Sequence, residues 1–158
     1  MTAATRAAAV ATTSGTLTAT MHHVGITVVD LDAACDWYVS AFDMAVEFAF
    51  GVEPIGLRGV VLRAPSGFGI ELISRVGVQT GDRFTGPADA ALIAGHSHIA
   101  MQVDDLSAVH ALLLGRGAIE RMVPQQSPQP GWRMSFVADP EGNLIELVEP
   151  IGTADPVH

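Results

Sequence analysis

Two histidines and two glutamates stand in apolar stretches of this sequence, where titratable side chains are uncommon. His23 and His98 each open such a stretch, and Glu71 and Glu146 each interrupt one. The histidine precedes the glutamate by the same 48 residues in both halves of the chain. Burying an ionised carboxylate is costly unless it is paired or binds a metal. Two imidazoles and two carboxylates offer nitrogen and oxygen donors that suit one divalent ion, of the series Zn, Ni, Co, Mn or Fe.

The four residues belong to an internal duplication. His23–Leu31 matches His98–Leu106, and Gly69–Ile73 matches Leu144–Val148, both at an offset of 75 residues. Two matches at one offset indicate a repeated supersecondary unit. Each polar residue taken alone is more often an ordinary strand residue, but the shared spacing favours a metal site. A pseudo-two-fold relation between the halves would bring the four side chains to one point.

The pattern in each half predicts a strand, a helix and three further strands. We therefore expect an α+β fold with two βαβββ modules. Asp30 and Asp105 stand where helix N-caps belong. Apolar residues at helical spacing follow each cap: Leu31, Ala34, Cys35, Tyr38, Ala41 and Phe42 in the first helix, and Leu106, Val109, Leu112 and Leu113 in the second. The predicted strands are about 23–29, 45–50, 57–63 and 69–74, then about 98–103, 118–123, 132–138 and 143–149.

The sequence pattern also predicts that the chain divides into five segments. These are a flexible leader (1–20), a first module (21–75), a linker (76–95), a second module (96–150) and a tail (151–158). Within the second module, the proline- and glutamine-rich stretch 124–131 predicts a mobile loop at the mouth of the binding site.

Composition excludes several function classes. The net charge is −9, and all eight basic residues are arginines, so lysine Schiff-base chemistry and a P-loop lysine are absent. Scattered arginines on a negative chain argue against nucleic-acid binding. The single cysteine, Cys35, excludes an internal disulfide. No apolar run reaches the roughly 20 residues of a membrane helix, and residues 1–20 match a secretory signal poorly, so we expect a cytoplasmic protein without membrane contact.

The paired openings at His23 and His98, with the closing Asp139-Pro-Glu-Gly-Asn-Leu-Ile-Glu146-Leu, resemble the vicinal oxygen chelate superfamily over about residues 21–150. That group includes glyoxalase I, methylmalonyl-CoA epimerase, extradiol dioxygenases, fosfomycin resistance transferases and bleomycin-binding proteins. The resemblance implies a cupped, curved mixed sheet with helices outside and one divalent metal on its concave face. Its ligand positions fall on His23, Glu71, His98 and Glu146.

A full set of two histidines and two glutamates is similar to the lyase and isomerase branches of that superfamily. The implied mechanism is chelation of two neighbouring substrate oxygens by the metal, with proton transfer by a carboxylate. Glu146 is the first candidate for the base and Glu71 the second. Arg58 and Arg133 occupy matched strand positions. We expect them to bind an anionic group of a small-molecule substrate, although salt bridges at the rim explain them equally well.

Two other function classes stay open at this point. An Fe(II) extradiol-type dioxygenase would use His23, His98 and Glu146 and would leave Glu71 unexplained. A non-catalytic resistance protein would lack the metal and would stack its ligand on aromatic residues, which are only 6% of this chain. Cupped sheets of this kind commonly bury one face in a dimer, so we also expect a homodimer. The modules would then form the cup within one chain or by exchange between two.

Overall fold

The structure, a computed structural model, describes residues 19–81 and 83–151. Most of the predicted leader and tail, residues 1–18 and 152–158, lies outside the described residues, as does Asp82 of the linker. No helix in the described part is long and apolar enough to cross a membrane.

Both halves fold as βαβββ modules, as the sequence predicts. The first contains β1 (Val24–Thr27), α1 (Leu31–Phe42), β2 (Ala45–Val52), β3 (Leu57–Arg63) and β4 (Gly69–Arg75). A short helix, α2 (Pro87–Ala90), lies in the linker. The second module contains β5 (Ile99–Gln102), α3 (Leu106–Gly115), β6 (Ile119–Gln126), β7 (Trp132–Ala138) and β8 (Leu144–Pro150).

Each module builds its own four-stranded mixed sheet. The strand orders are β1-β4-β3-β2 and β5-β8-β7-β6. The first strand of each module pairs parallel with the last, and the other pairings are antiparallel. The resemblance implies a cupped, curved mixed sheet built from the two modules. In the structure this consists of two four-stranded mixed sheets, in which β1 and β5 are both edge strands. Two unpaired edges therefore belong to the strands that follow the candidate ligands His23 and His98.

The two longer helices begin where the sequence predicts. The Asp30 side chain accepts a hydrogen bond from the backbone N–H of Ala33 at 3.0 Å. Asp105 does the same for Ala108 at 2.9 Å. Each carboxylate satisfies a backbone donor that the first helical turn leaves without a partner.

One apolar core joins the modules. Alternation along β4 turns Ile70 and Leu72 toward the helices, and Ile145 and Leu147 do so from β8, all four fully buried. Tyr38 of α1 lies in the same core. The opposite side of each sheet, which we call its open face, carries no helix of its own module.

Helix α3 differs from the pattern that the sequence predicts for it at one turn. Leu112, expected in the core, is 48% exposed, while His110 is buried. Leu106, His110 and Leu113 form the buried stripe instead. His110 is tolerated there because its two ring nitrogens lie 3.0 Å from the Ser135 hydroxyl and 3.0 Å from the Glu120 carboxylate.

The predicted loop 124–131 is shorter than expected, because β6 continues to Gln126. Its pairing with β7 is irregular between Met122 and Gln125, the stretch that contains Pro124. Proline cannot donate to a sheet ladder, but β6 is an edge strand and tolerates it.

The hairpin between β7 and β8 locks the second module onto the first helix of the first module. The Glu141 carboxylate accepts the backbone N–H groups of Val29 and Asp30 at 2.8 to 2.9 Å, at the positive end of α1. Buried Asp139 accepts the Tyr38 hydroxyl at 2.9 Å. These bonds span about a hundred residues of sequence and fix the modules relative to one another.

The Tyr38 phenol gives a measurable pH dependence. Burial, and then the nearby Asp139 carboxylate, raises its pKa well above the ordinary value near 10. The unfolded chain therefore loses this proton first, and stability that is complete below about pH 10 falls by up to about 1.4 kcal/mol per pH unit above it. Tyr38 is the only tyrosine, so phenolate absorbance near 295 nm reports it alone. We expect that signal to appear only with unfolding, and a phenolate titrating near pH 10 in the folded protein would contradict the buried geometry.

Candidate metal centre

The first candidate pair is held by the parallel pairing of β1 with β4. Gly25 lies opposite Glu71 in the register. The Glu71 carboxylate lies over this glycine, and an added Cβ would stand 3.6 Å from Glu71 Oε2, an ordinary van der Waals distance. His23 Nε2 then lies 3.6 Å from Glu71 Oε2. Both side chains are about one quarter to one third exposed, so they are reachable from solvent on the open face.

The second module repeats this arrangement. Ala100 lies opposite Glu146, again a small residue beneath the carboxylate. His98 Nε2 is 3.2 Å from Glu146 Oε2. The ring of Phe136 meets His98 edge-on, with centroids 5.2 Å apart, and so limits rotation of the imidazole.

Each histidine is also held at its other nitrogen by the residue before it. Ser97 Oγ lies 2.8 Å from His98 Nδ1, and His22 Nδ1 lies 2.8 Å from His23 Nδ1. His22 and Ser97 are themselves related by the offset of 75. Strand alternation alone predicts that His22 points away from His23, and their contact corrects that expectation. Both histidines thus present Nε2 to their glutamate, which is how a metal-binding imidazole is commonly oriented.

These neighbours give a testable effect on metal affinity. We expect Ser97→Ala to weaken divalent-metal binding by about ten-fold or more, because an outer hydrogen bond to a ligating histidine is typically worth 10- to 100-fold. His22→Ala should act similarly. His22→Ser is the matched control, since it gives the first module the residue that the second module already uses. Competition titration with a chromogenic chelator measures the affinities, and equal affinity in Ser97→Ala and the wild type would refute the orienting role.

The structure brings the four candidate ligands together as two pairs. We call His23 with Glu71 the first half-site and His98 with Glu146 the second half-site. Among the described residues of one chain, no group of three or more histidine, cysteine, aspartate or glutamate side chains gathers as a metal site. Within one chain the modules are joined through α1 and the β7–β8 hairpin.

The support around the half-sites is not symmetric. In the first module the Arg63 guanidinium donates to the carbonyl oxygen of His22 at 2.7 Å and forms an ion pair with Glu47 at 2.6 Å. The equivalent of Arg63 is Ala138, which packs with three apolar neighbours: Phe84, Ala90 and Leu144. At this position the second module therefore has apolar packing against linker residues, where the first module has the hydrogen bond and ion pair of Arg63.

Arg58 and Arg133, the predicted anion-binding residues, lie on the helix-facing side of their sheets. Arg58 pairs with Asp32 of α1 at 2.8 Å. Arg133 pairs with Glu149 at 2.9 Å and reaches Ser107 of α3. Neither contacts a half-site residue, so this geometry supports the alternative of rim salt bridges and not a substrate contact.

Cys35 offers no nucleophile of note. Burial, with the nearby carboxylates of Asp36 and Asp32, raises the pKa of its thiol. The thiol is therefore protonated at neutral pH.

A cavity of about 890 Å³ lies between the two modules. Both half-site histidines line it, together with residues of β1, β5, the linker and the hairpin. Its volume is in the range of small-molecule sites. The space beside His23 and His98 is therefore large enough for a substrate.

Known protein families and solved structures agree with this architecture. Residues 20–147 match the family described as the Glyoxalase/Bleomycin resistance protein/Dioxygenase superfamily, and the chain belongs to that family. This is the superfamily that the sequence motifs resemble. No curated protein matches the chain.

Solved structures share the fold at low sequence identity. A glyoxalase family protein from Bacillus cereus is 22% identical, with a TM-score of 0.71 over 90% of this chain and 100% of that one. The trypanothione-dependent glyoxalase I of Leishmania major is 25% identical, with a TM-score of 0.62 over 84% and 87%. Glyoxalase I from Zea mays is 23% identical, with a TM-score of 0.63 over 83% of this chain and 47% of that one. This chain thus spans about half of the maize protein.

Proposed function

We propose that this protein is a divalent-metal-dependent lyase or isomerase that acts on a small molecule with two neighbouring oxygens. The observation that carries this proposal is the equivalence of the two half-sites. Each has one imidazole Nε2 beside one carboxylate, over a small residue, with Nδ1 already bonded to a neighbour.

The donor set fits a divalent metal better than it fits two isolated ion pairs. Two nitrogen and two oxygen donors match the ligand types of Zn, Ni, Co, Mn or Fe. A metal there supplies Lewis-acid polarisation of a chelated substrate. Glu71 lies beside His23 as Glu146 lies beside His98, which favours a site with four ligands. A dioxygenase-type site has three ligands and would leave Glu71 without a role.

The glutamates have the second role in this proposal. In this proposal Glu146 takes a proton from the substrate carbon next to the oxygens, and Glu71 of the facing half-site returns one. Phe136 is buried and packs edge-on against His98, so the imidazole has an apolar neighbour on that side. General acid–base transfer of this kind typically contributes about 10²- to 10⁴-fold in rate.

A second copy of the chain would complete the centre. Within one chain the modules dock through α1 and the β7–β8 hairpin, and no group of three or more candidate ligands gathers among the described residues. Phe48, in the same cross-strand row as Glu71, is 50% exposed. In a two-fold homodimer, the first half-site of each copy would face the second half-site of the other.

Two measurements on the purified homodimer test the proposal. Elemental analysis should find one divalent ion per chain. Turnover of hemithioacetals and α-hydroxyketones should fall at least about 100-fold in Glu146→Gln. Undiminished turnover in that variant would reject Glu146 as the base, and oxygen uptake with catechols in iron-loaded protein would favour the dioxygenase class.

A further inference from the structure

The cavity between the modules differs in charge from the rest of the chain. The sequence contains 17 acidic residues and a net charge of −9. No aspartate or glutamate is among the described residues that line the cavity. Its lining instead includes Arg83 and three histidines, His23, His96 and His98. Arg83 is therefore the charged side chain through which the lining of this cavity could contact an anion, although Glu141, Glu71 and Glu146 lie next to lining residues.

Arg83 is held in place by the hairpin beneath it. Its stem lies over Gly142, where an added Cβ would stand 3.0 Å from Arg83 Cγ. Its Nη1 donates to Asn143 Oδ1 at 3.2 Å, and Nη2 lies 3.8 Å from Glu141. The Glu141 carboxylate is already occupied by the two backbone donors of α1.

One donor of Arg83 is left over. Its Nε is buried and has no hydrogen-bond partner within the described part of the chain. An unmet buried guanidinium N–H costs free energy. Arg83 also lines the cavity, so a shift of its side chain would bring the guanidinium to an anionic oxygen. The two aromatic rings of Phe68 and Phe84 line the same cavity, so its other surface is apolar.

We propose that Arg83 binds a carboxylate of the substrate, whose apolar body fills the cavity beside His23 and His98. This inference names the substrate class of the proposed function. It rests on that proposed function because it takes the cavity as the substrate site. One fixed cation with one free donor matches a singly charged carboxylate better than a phosphate, which requires several donors. Arg83 takes over the role that the sequence suggested for Arg58 and Arg133.

Two probes with the same ring, 1-naphthylacetate and uncharged 1-naphthylacetamide, test the proposal by calorimetric titration. We expect the wild type to bind the carboxylate at least about ten-fold more tightly than the amide. Arg83→Gln should lower carboxylate affinity to the level of the amide while leaving amide affinity unchanged, which also shows that the cavity is intact. Arg83→Lys should keep part of the preference. Arg58→Gln, whose ion pair lies outside the cavity, should match the wild type.

Equal affinity of the two probes for the wild type would overturn the proposal without any variant, as would a carboxylate preference that survives in Arg83→Gln. Repeating the titration after dialysis against a chelator separates this inference from the metal site. If the preference persists without metal and depends on Arg83, the inference holds even where metal binding fails. If the carboxylate preference is lost on metal removal and is unchanged in Arg83→Gln, the metal binds the carboxylate and the inference is wrong.

Discussion

Replacing His98 with alanine should abolish tight metal binding, with a loss of more than about 100-fold in affinity, since a direct ligand contributes more than the outer contacts that are typically worth 10- to 100-fold. His98 supplies the only imidazole of the second half-site, and Glu146 alone would be a weak single ligand. Elemental analysis and chelator competition measure the effect, and activity should fall in parallel.

His96 is the matched control for this variant. It is a histidine that lines the same cavity, but it has no place in either half-site. We expect His96→Ala to keep wild-type metal affinity and the same thermal unfolding curve. Metal retention in His98→Ala, or an equal loss in His96→Ala, would show that the half-site does not select the ion.

Replacing Asp139 with alanine should destabilise the fold by about 3 to 5 kcal/mol, one of the largest effects available to a single substitution. The carboxylate is buried and accepts four hydrogen bonds, from the Tyr38 hydroxyl, the Glu141 and Asn143 backbones and the Asn143 side chain. Its loss leaves these donors unpaired and loosens the hairpin that caps α1. Urea unfolding followed by circular dichroism measures the difference.

Asp104→Ala is the comparison for this effect, because Asp104 is exposed and such surface changes usually stay within about 0.5 kcal/mol. A loss below about 1 kcal/mol in Asp139→Ala would mean that the hairpin does not lock the modules together. The double variant with Tyr38→Phe isolates the energy of the Tyr38 contact, since a shared bond is lost only once.

Much of the architecture could be predicted because it depends on local sequence patterns. Asp30 and Asp105 mark the helix starts through their own backbone contacts, and alternation in the strands separates Glu71 and Glu146 from the buried neighbours on either side. The duplication gives His23 and Glu71 the same spacing as His98 and Glu146, and the parallel pairing of the first and last strand of each module brings the two residues of each pair close together.

The contacts between modules could not be predicted in the same way. Glu141 reads as an ordinary turn residue, yet it caps a helix that begins about 110 residues earlier. His110 matches Cys35 of the first helix under the duplication, but the sequence does not show that a serine and a glutamate from two strands make its burial possible. The offset of 75 residues relates the two halves to each other but does not show which faces meet. It therefore does not show that the candidate ligands form two pairs among the described residues of one chain.

His22 and Ser97 carried a signal that sequence reasoning passed over. Each directly precedes a predicted ligand, and the two match under the duplication. Because a ligating imidazole needs its second nitrogen held, polar residues at such matched positions are candidates for that task.

The most direct test of the central claim is complementation between two defective chains. A heterodimer of His23→Ala with His98→Ala, purified through two different tags, contains one centre with neither histidine and one with all four ligands, if each centre is shared across the two-fold axis. It should bind about half the metal of the wild-type dimer and regain about half its turnover, while both parent homodimers stay defective. A heterodimer as poor in metal as its parents would contradict the shared centre.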